Sequence, residues 1–246
     1  MLRCLRELKG YSIIATDGVL GKVDDFYFDD HQWTIRYLVA DTGRWLPGRL
    51  VLISPASLRE PQWVSESFPV NLTKEQVRSS PSIDTDRPVS RQQELEVIRH
   101  YGWPMYPIAT GHMVGPMGPG LPVVGEAGKK EEPPGGDPHL RSFREIKGYR
   151  IHATDGEIGH VEDLIVDDDG WKIRSLAVDT KNWWPGKKVL VPPEWAESIS
   201  VEPHRGTLYL NVSRDIVRNS PEYDPSAPVN VQHEERAYDF YGRPKF

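Results

Sequence analysis

The sequence holds a single cysteine, Cys4, among 246 residues. That count excludes an intrachain disulfide and a multi-cysteine zinc site. No apolar run approaches the roughly 18 residues that a membrane-crossing helix needs, and no apolar stretch follows a basic start, so neither an integral membrane segment nor a secretory leader is expected. Positive charge is also not in excess: 30 Lys and Arg stand against 36 Asp and Glu. Nucleic acid is recognised through a basic patch or stripe, so it is not an expected partner. These absences together predict a cytoplasmic protein. Turn formers, by contrast, are plentiful, with 21 Gly and 22 Pro.

The dominant feature is an internal duplication. Residues 5–53 align without a gap to 143–191, at an offset of 138, with 26 identities in 49 positions. A second match joins 70–104 to 210–244 at an offset of 140, with 13 identities in 35. Two residues are therefore gained between about 54 and 209. Each repeat is about 100 residues, long enough for its own core. Between Gly102 and Pro138, 17 of 37 residues are Gly or Pro, a composition that cannot bury enough apolar surface to offset its chain entropy. The expected organisation is repeat one over 1–103, a flexible linker over 104–138 and repeat two over 139–246.

Within repeat one, Tyr11 to Ala15 reads as a short strand. Thr16-Asp17-Gly18 supplies a hairpin turn, and Val19 to Phe28 continues as a second strand. Gly21 and its counterpart Gly159 lie inside strands, where glycine marks a bulge or a close backbone approach. After the acidic turn at Asp29-Asp30, Trp33 to Asp41 alternates, with Trp33, Ile35, Tyr37 and Val39 on one face and Thr34, Arg36 and Leu38 on the other. A loop containing Pro47-Gly48 leads to a strand at Val51 to Ile53. Thr73 and Gln76 have capping-box spacing for a short helix, as do Ser90 and Gln93 for a second. The second helix carries an apolar stripe at Leu95, Ile98 and Tyr101, matched in repeat two by Ala237, Tyr238 and Tyr241 behind a cap at Asn230. The fold expected is mainly β: two small β-barrels, each followed by short helices, joined by the Gly/Pro-rich linker. The stripes need covering, so the two units are expected to pair with each other, within one chain or by exchange in a homodimer.

The run K-G-Y-x-I-x-A-T-D-G-x-x-G-x-V-x-D, followed by D-D-x-x-W-x-I-R and V-x-D-T-x-x-W-x-P-G-x-x-V-L, resembles the PRC-barrel family. That family takes its name from the cytoplasmic barrel of the photosynthetic reaction-centre H subunit, and its barrel is similar to the C-terminal domain of a ribosome-maturation factor. The resemblance covers roughly residues 5–65 and 143–205. It implies a small β-barrel in each half and an adaptor role rather than catalysis. The H subunit has a membrane helix ahead of its barrel that this sequence lacks. The maturation factor has a different domain where this chain has its other barrel.

Catalytic and metal-binding patterns are sparse. Cys4 has no nearby histidine in sequence, and Ser142 stands at its place in repeat two. No nucleophile elbow or phosphate-binding glycine loop is present, so no enzyme activity and no cofactor are expected. The acidic turns Asp29-Asp30 and Asp167-Asp168-Asp169 lack the calcium-loop pattern and read as polar hairpin turns. Among the eight histidines, His31, His100, His112, His139, His152, His160, His204 and His233, none forms a zincin motif. His152 and His160 fall on adjacent strands, but Ile14 and Lys22 replace them in repeat one, so no metal site is expected.

The tryptophan loops are the candidate protein-binding elements. Trp45-Leu46-Pro47-Gly48 and Trp183-Trp184-Pro185-Gly186 occupy the same loop of each barrel. Trp45 and Trp183 read as plugs of a barrel end, while Trp33 and Trp171 read as core. Trp184 replaces Leu46 and is the candidate surface anchor, so Trp184, Pro185, Leu46 and Pro47 form the candidate contact set. The function expected is a soluble adaptor or structural protein that binds a protein partner. The alternative is a peripheral accessory at the cytoplasmic face of a membrane photosynthetic or electron-transport complex.

Overall fold

The computed structural model describes all residues except 44, 82–90, 105–138, 182–186, 203–204, 227–238 and 241–246. The linker expected over 104–138, the second tryptophan loop at Trp183 to Gly186, and the stripe residues Ala237, Tyr238 and Tyr241 with their cap Asn230 therefore lie almost entirely outside the described residues.

In chain order, repeat one contains β1 (Leu2–Cys4), α1 (Leu5–Leu8), β2 (Ser12–Ala15), β3 (Gly18–Asp29), β4 (Thr34–Asp41), β5 (Leu50–Ile53), β6 (Ser67–Pro69), α2 (Lys74–Arg78) and α3 (Arg91–Tyr101). Repeat two contains β7 (Leu140–Ser142), α4 (Phe143–Ile146), β8 (Arg150–Ala153), β9 (Gly156–Asp167), β10 (Ile173–Asp179), β11 (Lys188–Val191), β12 (Ala196–Glu202), β13 (Arg205–Leu210) and α5 (Arg214–Asn219). Strands β2 to β5 form an antiparallel meander, and β6 returns parallel to β2. The chain just beyond β5 then bonds to the chain just beyond β6, with Arg59 N–H to Pro69 O at 2.8 Å and Asn71 N–H to Ser57 O at 2.8 Å. Those bonds satisfy backbone groups that would otherwise form an open sheet edge. Repeat two repeats this plan, with β13 parallel to β8.

The strand glycines have the expected role. A Cβ on Gly21 would stand 1.9 Å from the carbonyl oxygen of Asp41, and one on Gly159 would stand 2.0 Å from that of Asp179. Only glycine lets the two backbones meet there. The ladder also skips a residue beside each, between Ile13 and Ile14 and between Ile151 and His152.

One feature was not legible as an element. The short strand that opens each repeat leaves its own half. β1 pairs with β9, placing Cys4 opposite Ile165, and β7 pairs with β3, placing Ser142 opposite Tyr27. Each sheet therefore takes one strand from the other repeat, and the expected pairing of the two units takes the form of a reciprocal strand exchange within one chain. The helices that follow carry fully buried anchors, Leu5 and Leu8 in α1 and Phe143 and Ile146 in α4. Burying each contributes about 1.5–3 kcal/mol.

The exchange also corrects the expected two-faced strand at Trp33 to Asp41. That strand begins at Thr34, and Ile35 through Ala40 are buried on both faces. The second repeat and α3 cover what an isolated barrel would leave open. Trp33 and Trp171 are core, as expected, but they sit in the turns and not in the strands, at positive φ of 51° and 54°. The reason lies across the pseudo-two-fold axis. Trp33 O accepts the N–H of Ile173 at 2.7 Å, and Trp171 O accepts the N–H of Ile35 at 2.8 Å.

The capping box of α2 forms as expected, with Gln76 N–H to Thr73 Oγ1 at 3.2 Å and Thr73 N–H to Gln76 Oε1 at 2.8 Å. The expected stripe of α3 shifts. Val97 and Ile98 are buried and Leu95 and Tyr101 are half-buried, but the residue fully enclosed beneath them is Glu94. Its carboxylate pairs with the Arg36 guanidinium and accepts the hydroxyl of Tyr37 at 2.8 Å. Arg36 Nη1 also lies 3.3 Å from Asp29 Oδ2. Trp103, just past the helix, donates its indole N–H to Ser57 Oγ at 2.5 Å and stacks on Tyr101 at 4.2 Å.

Candidate interaction site

The described tryptophan loop is held by polar bonds on both flanks. Thr42 donates its hydroxyl to the carbonyls of Leu46 at 2.7 Å and Arg49 at 2.8 Å, which closes the loop base. Asp41 accepts the N–H of Gly43 at 2.8 Å. Arg49 then reaches the C-terminal end of α2, donating to the carbonyls of Arg78 and Ser80. A cation at a helix C-terminus meets carbonyls that have no partner inside the helix.

Within that frame Trp45 is half-buried, packs against the core, and donates its indole N–H to the carbonyl of Leu20. It covers the barrel mouth and is not enclosed inside it. Lys74 Nζ lies 5.7 Å and the Arg78 guanidinium 5.9 Å from its ring centroid, at cation–π range. Leu46 is half-buried and Pro47 exposed. Val19, on the neighbouring hairpin, is 56% exposed. Of the candidate contact set, the structure thus places Pro47 at the surface and Leu46 half-buried, next to an aromatic ring with two cations over it. Trp184 and Pro185 lie outside the described residues.

The other sequence candidates have structural occupations. The carboxylates of the acidic turns are taken up by groups of the protein, Asp167 and Asp168 both by the Met1 ammonium. Asp29 Oδ1 accepts the N–H groups of His31 and Gln32, each at 2.9 Å, which is how an Asx turn is made. Asp30 pairs with His139 at 2.9 Å and Arg141 at 2.7 Å from the other repeat, and Asp168 pairs with Arg3 at 3.6 Å. The turns therefore join the repeats. His160 stands opposite Arg150 and His152 opposite Glu157, and the His152 ring faces Tyr209 at 5.8 Å. Among the described residues no group of three or more His, Cys, Asp or Glu side chains is placed to hold a metal ion.

Cys4 is buried in β1, with Sγ 3.4 Å from the hydroxyl of Tyr223. Burial pushes its thiol up to about 11, so the thiolate that a nucleophile requires is scarce at neutral pH.

Sequence reasoning missed Asp25 and Asp163, the last aspartate of the quoted motif in each repeat. Both are buried. Asp25 accepts the Ser142 hydroxyl at 2.5 Å and the N–H of Arg144 at 3.0 Å. Asp163 accepts the N–H of Arg6 at 3.2 Å and of Leu164 at 2.9 Å. Each carboxylate thus holds the exchanged segment of the other repeat. Burial raises the pKa of both carboxyls, with hydrogen bonds opposing it, and takes Asp163 to about 6. Their identical placement at an offset of 138 was the available signal. That their partners came from the other half was not readable.

No helix among the described residues is long and apolar enough to cross a membrane. The family model for the PRC-barrel domain matches residues 4–63 and 138–215. No curated protein shows significant similarity to the chain.

Proposed function

The chain belongs to the PRC-barrel domain family, whose model covers more than half of it, and we propose that it acts as a non-enzymatic adaptor that binds a protein partner through its tryptophan loops. The observation that carries this reading is the loop Trp45 to Pro47. A hydrogen-bonded base carries half-buried Leu46 and exposed Pro47 beside a half-buried indole with Lys74 and Arg78 over its ring. Aromatic and arginine side chains supply the anchors of most protein interfaces. The two cations favour a partner segment with acidic groups next to an apolar residue. Repeat two has the same loop sequence pattern, with Trp184 in place of Leu46, and Arg214 and Arg218 in place of Lys74 and Arg78. Two such loops on one chain allow bivalent engagement, which raises avidity without new contacts.

The burial of Cys4 supports the non-enzymatic part of this reading, because it takes the chain's one thiol out of reach of a substrate. The test is quantitative affinity capture from the native cell with the intact protein and with the Leu46→Asp, Trp184→Asp variant. Proteins enriched by the first and lost with the second identify loop partners. Equal enrichment by both would remove the loops from the adaptor role. Running the same comparison on isolated membranes tests attachment to a membrane complex.

A further inference from the structure

The pseudo-two-fold relation between the repeats holds at one junction and is broken at the other. In the first junction, the Arg3 guanidinium lies 3.9 Å from the ring centroid of Trp63. The same ring packs against Phe68 at 6.0 Å and Tyr11 at 6.4 Å, and Phe68 in turn meets Trp171 of the other repeat at 5.7 Å. An aromatic ring from the edge of repeat one thus lies over the arginine of the exchanged segment.

The ladder registers give the counterpart of Trp63. Gln62 bridges Ser67 in repeat one, and Ser200 pairs with Thr207 in repeat two. Gln62 therefore corresponds to Ser200 and Trp63 to Val201, and the two extra residues of repeat two fall in the turn beyond. Val201 has no ring and is 47% exposed. Arg141, the counterpart of Arg3, is held by Asp30 at 2.7 Å, as Arg3 is held by Asp168 at 3.6 Å. A cavity of about 510 Å³ is lined by Arg141, His139, His31, Trp33, Lys172 and Ile199, among others. Ile199 lines the cavity and shares a face of β12 with Val201, so position 201 lies next along that face from the cavity wall.

We propose that this cavity binds a planar aromatic ring of indole type, in the manner that Trp63 covers Arg3 in the other junction. A guanidinium paired along one edge still offers its plane for stacking, and the His31 and His139 rings, 4.8 Å apart and tilted by 44°, add aromatic edges and faces to the wall. The ring is supplied from outside the chain, either as a free small aromatic molecule or as a tryptophan side chain of a bound protein. This site is separate from the Trp45 loop, and its failure would leave the adaptor reading intact.

The test is a titration of the uniformly 15N-labelled full-length protein with indole and, separately, with N-acetyl-tryptophanamide, followed by amide chemical shifts. The expected result is saturable movement of the amides of His31, Arg141, Lys172 and Ile199 with a Kd of about 1 mM for at least one probe. Indole alone binding assigns the site to free aromatics, and binding of the amide assigns it to a side chain. Val201→Trp places the missing ring in the chain and is expected to abolish the shifts in a protein whose remaining spectrum is unchanged. Arg141→Lys keeps the charge, loses the plane, and is expected to weaken binding at least fivefold. No saturable shift of these amides with either probe, or undiminished binding by a folded Val201→Trp protein, would overturn the proposal.

Discussion

Asp25 and Arg144 belong to different repeats, and the carboxylate of Asp25 accepts the backbone N–H of Arg144 at 3.0 Å. With the Ser142 hydroxyl on its other oxygen at 2.5 Å, this buried acid closes the start of α4 onto β3. Asp25→Ala removes the acceptor of two part-buried hydrogen bonds and is expected to cost about 1–2 kcal/mol. Asp24 is the control. It pairs with Arg144 at the surface, and Asp24→Ala should stay within about 0.5 kcal/mol. Urea unfolding of both variants checks the difference, and hydrogen exchange should show loss of protection over 140–146 first. Equal costs would mean that the buried contact does not hold the exchange.

Asp163 predicts a pH dependence with a definite sign. Its folded-state value of about 6 lies above the ordinary 3.8 because burial disfavours the carboxylate, against the pull of the backbone N–H groups and of Arg6 and Lys147. The neutral form is the one the fold prefers. Its stabilising contribution is complete below about pH 4 and is lost as pH rises through 6. A shift of about two units corresponds to about 3 kcal/mol at most. Asp163→Asn is therefore expected to gain stability relative to the parent as pH rises from 4 to 7, measured by urea unfolding at several pH values. Among the described residues Asp163 Oδ2 accepts no hydrogen bond, the nearest cation being Arg6 Nε at 3.7 Å, and Cys4 stands where Ser142 supplies a hydroxyl to Asp25. Cys4→Ser should supply that donor and shrink the pH effect. A parent and Asp163→Asn difference that is flat with pH would refute the assignment.

Much of each barrel was readable because its signals are local. Asp17-Gly18 requires a turn, Gly21 and Gly159 permit close backbones, and Thr73 with Gln76 makes a capping box, all within a few residues. The exchange of β1 and β7 was not readable, since three-residue strands carry no periodicity and their partners lie more than a hundred residues away. Glu94 escaped for a different reason. A glutamate on a helix is ordinarily a solvated residue, and only Arg36 and Tyr37, brought beneath α3 by the barrel, turn it into a buried anchor. The repetition of Arg36 as Arg174 and of Glu94 as Glu234 was the one sequence hint. For the loops, sequence placed Leu46 and Pro47 together, but the cationic border from α2 needed the fold.

Strand exchange alters what limited proteolysis should show. The Gly/Pro composition of 104–138 predicts early cleavage there and two fragments of about half size in denaturing gels. Because β1 lies in the sheet of repeat two and β7 in the sheet of repeat one, the nicked halves should remain one particle by size-exclusion chromatography. They should part only where the fold melts. Separation of the nicked halves in native buffer would show that the exchanged strands and their buried Leu5, Leu8, Phe143 and Ile146 do not suffice to hold the repeats together.

The Trp45 loop offers a separation of stability from recognition. Trp45→Ala removes a half-buried ring and its bond to the Leu20 carbonyl. The cost expected is about 2–3 kcal/mol, below the 3–5 kcal/mol typical of a fully enclosed aromatic. Trp45→Phe keeps most of the ring, and its loss should approach the value of one hydrogen bond, about 1 kcal/mol. Pro47→Ser alters an exposed side chain and should change the unfolding free energy by no more than about 0.5 kcal/mol, and Leu46→Asp, at a half-buried position, by no more than about 1 kcal/mol. In the sister loop the same logic pairs Trp183→Ala, expected to destabilise like Trp45→Ala, with Trp184→Ala, expected to leave stability nearly unchanged. Partner capture should follow the reverse order: strongly reduced by Leu46→Asp and Trp184→Ala, and reduced by Trp45→Phe only in proportion to the unfolded fraction. If Leu46→Asp and Trp184→Ala destabilise the protein as much as Trp45→Ala and Trp183→Ala do, the loops serve the barrels alone, and recognition must lie on another face of the molecule.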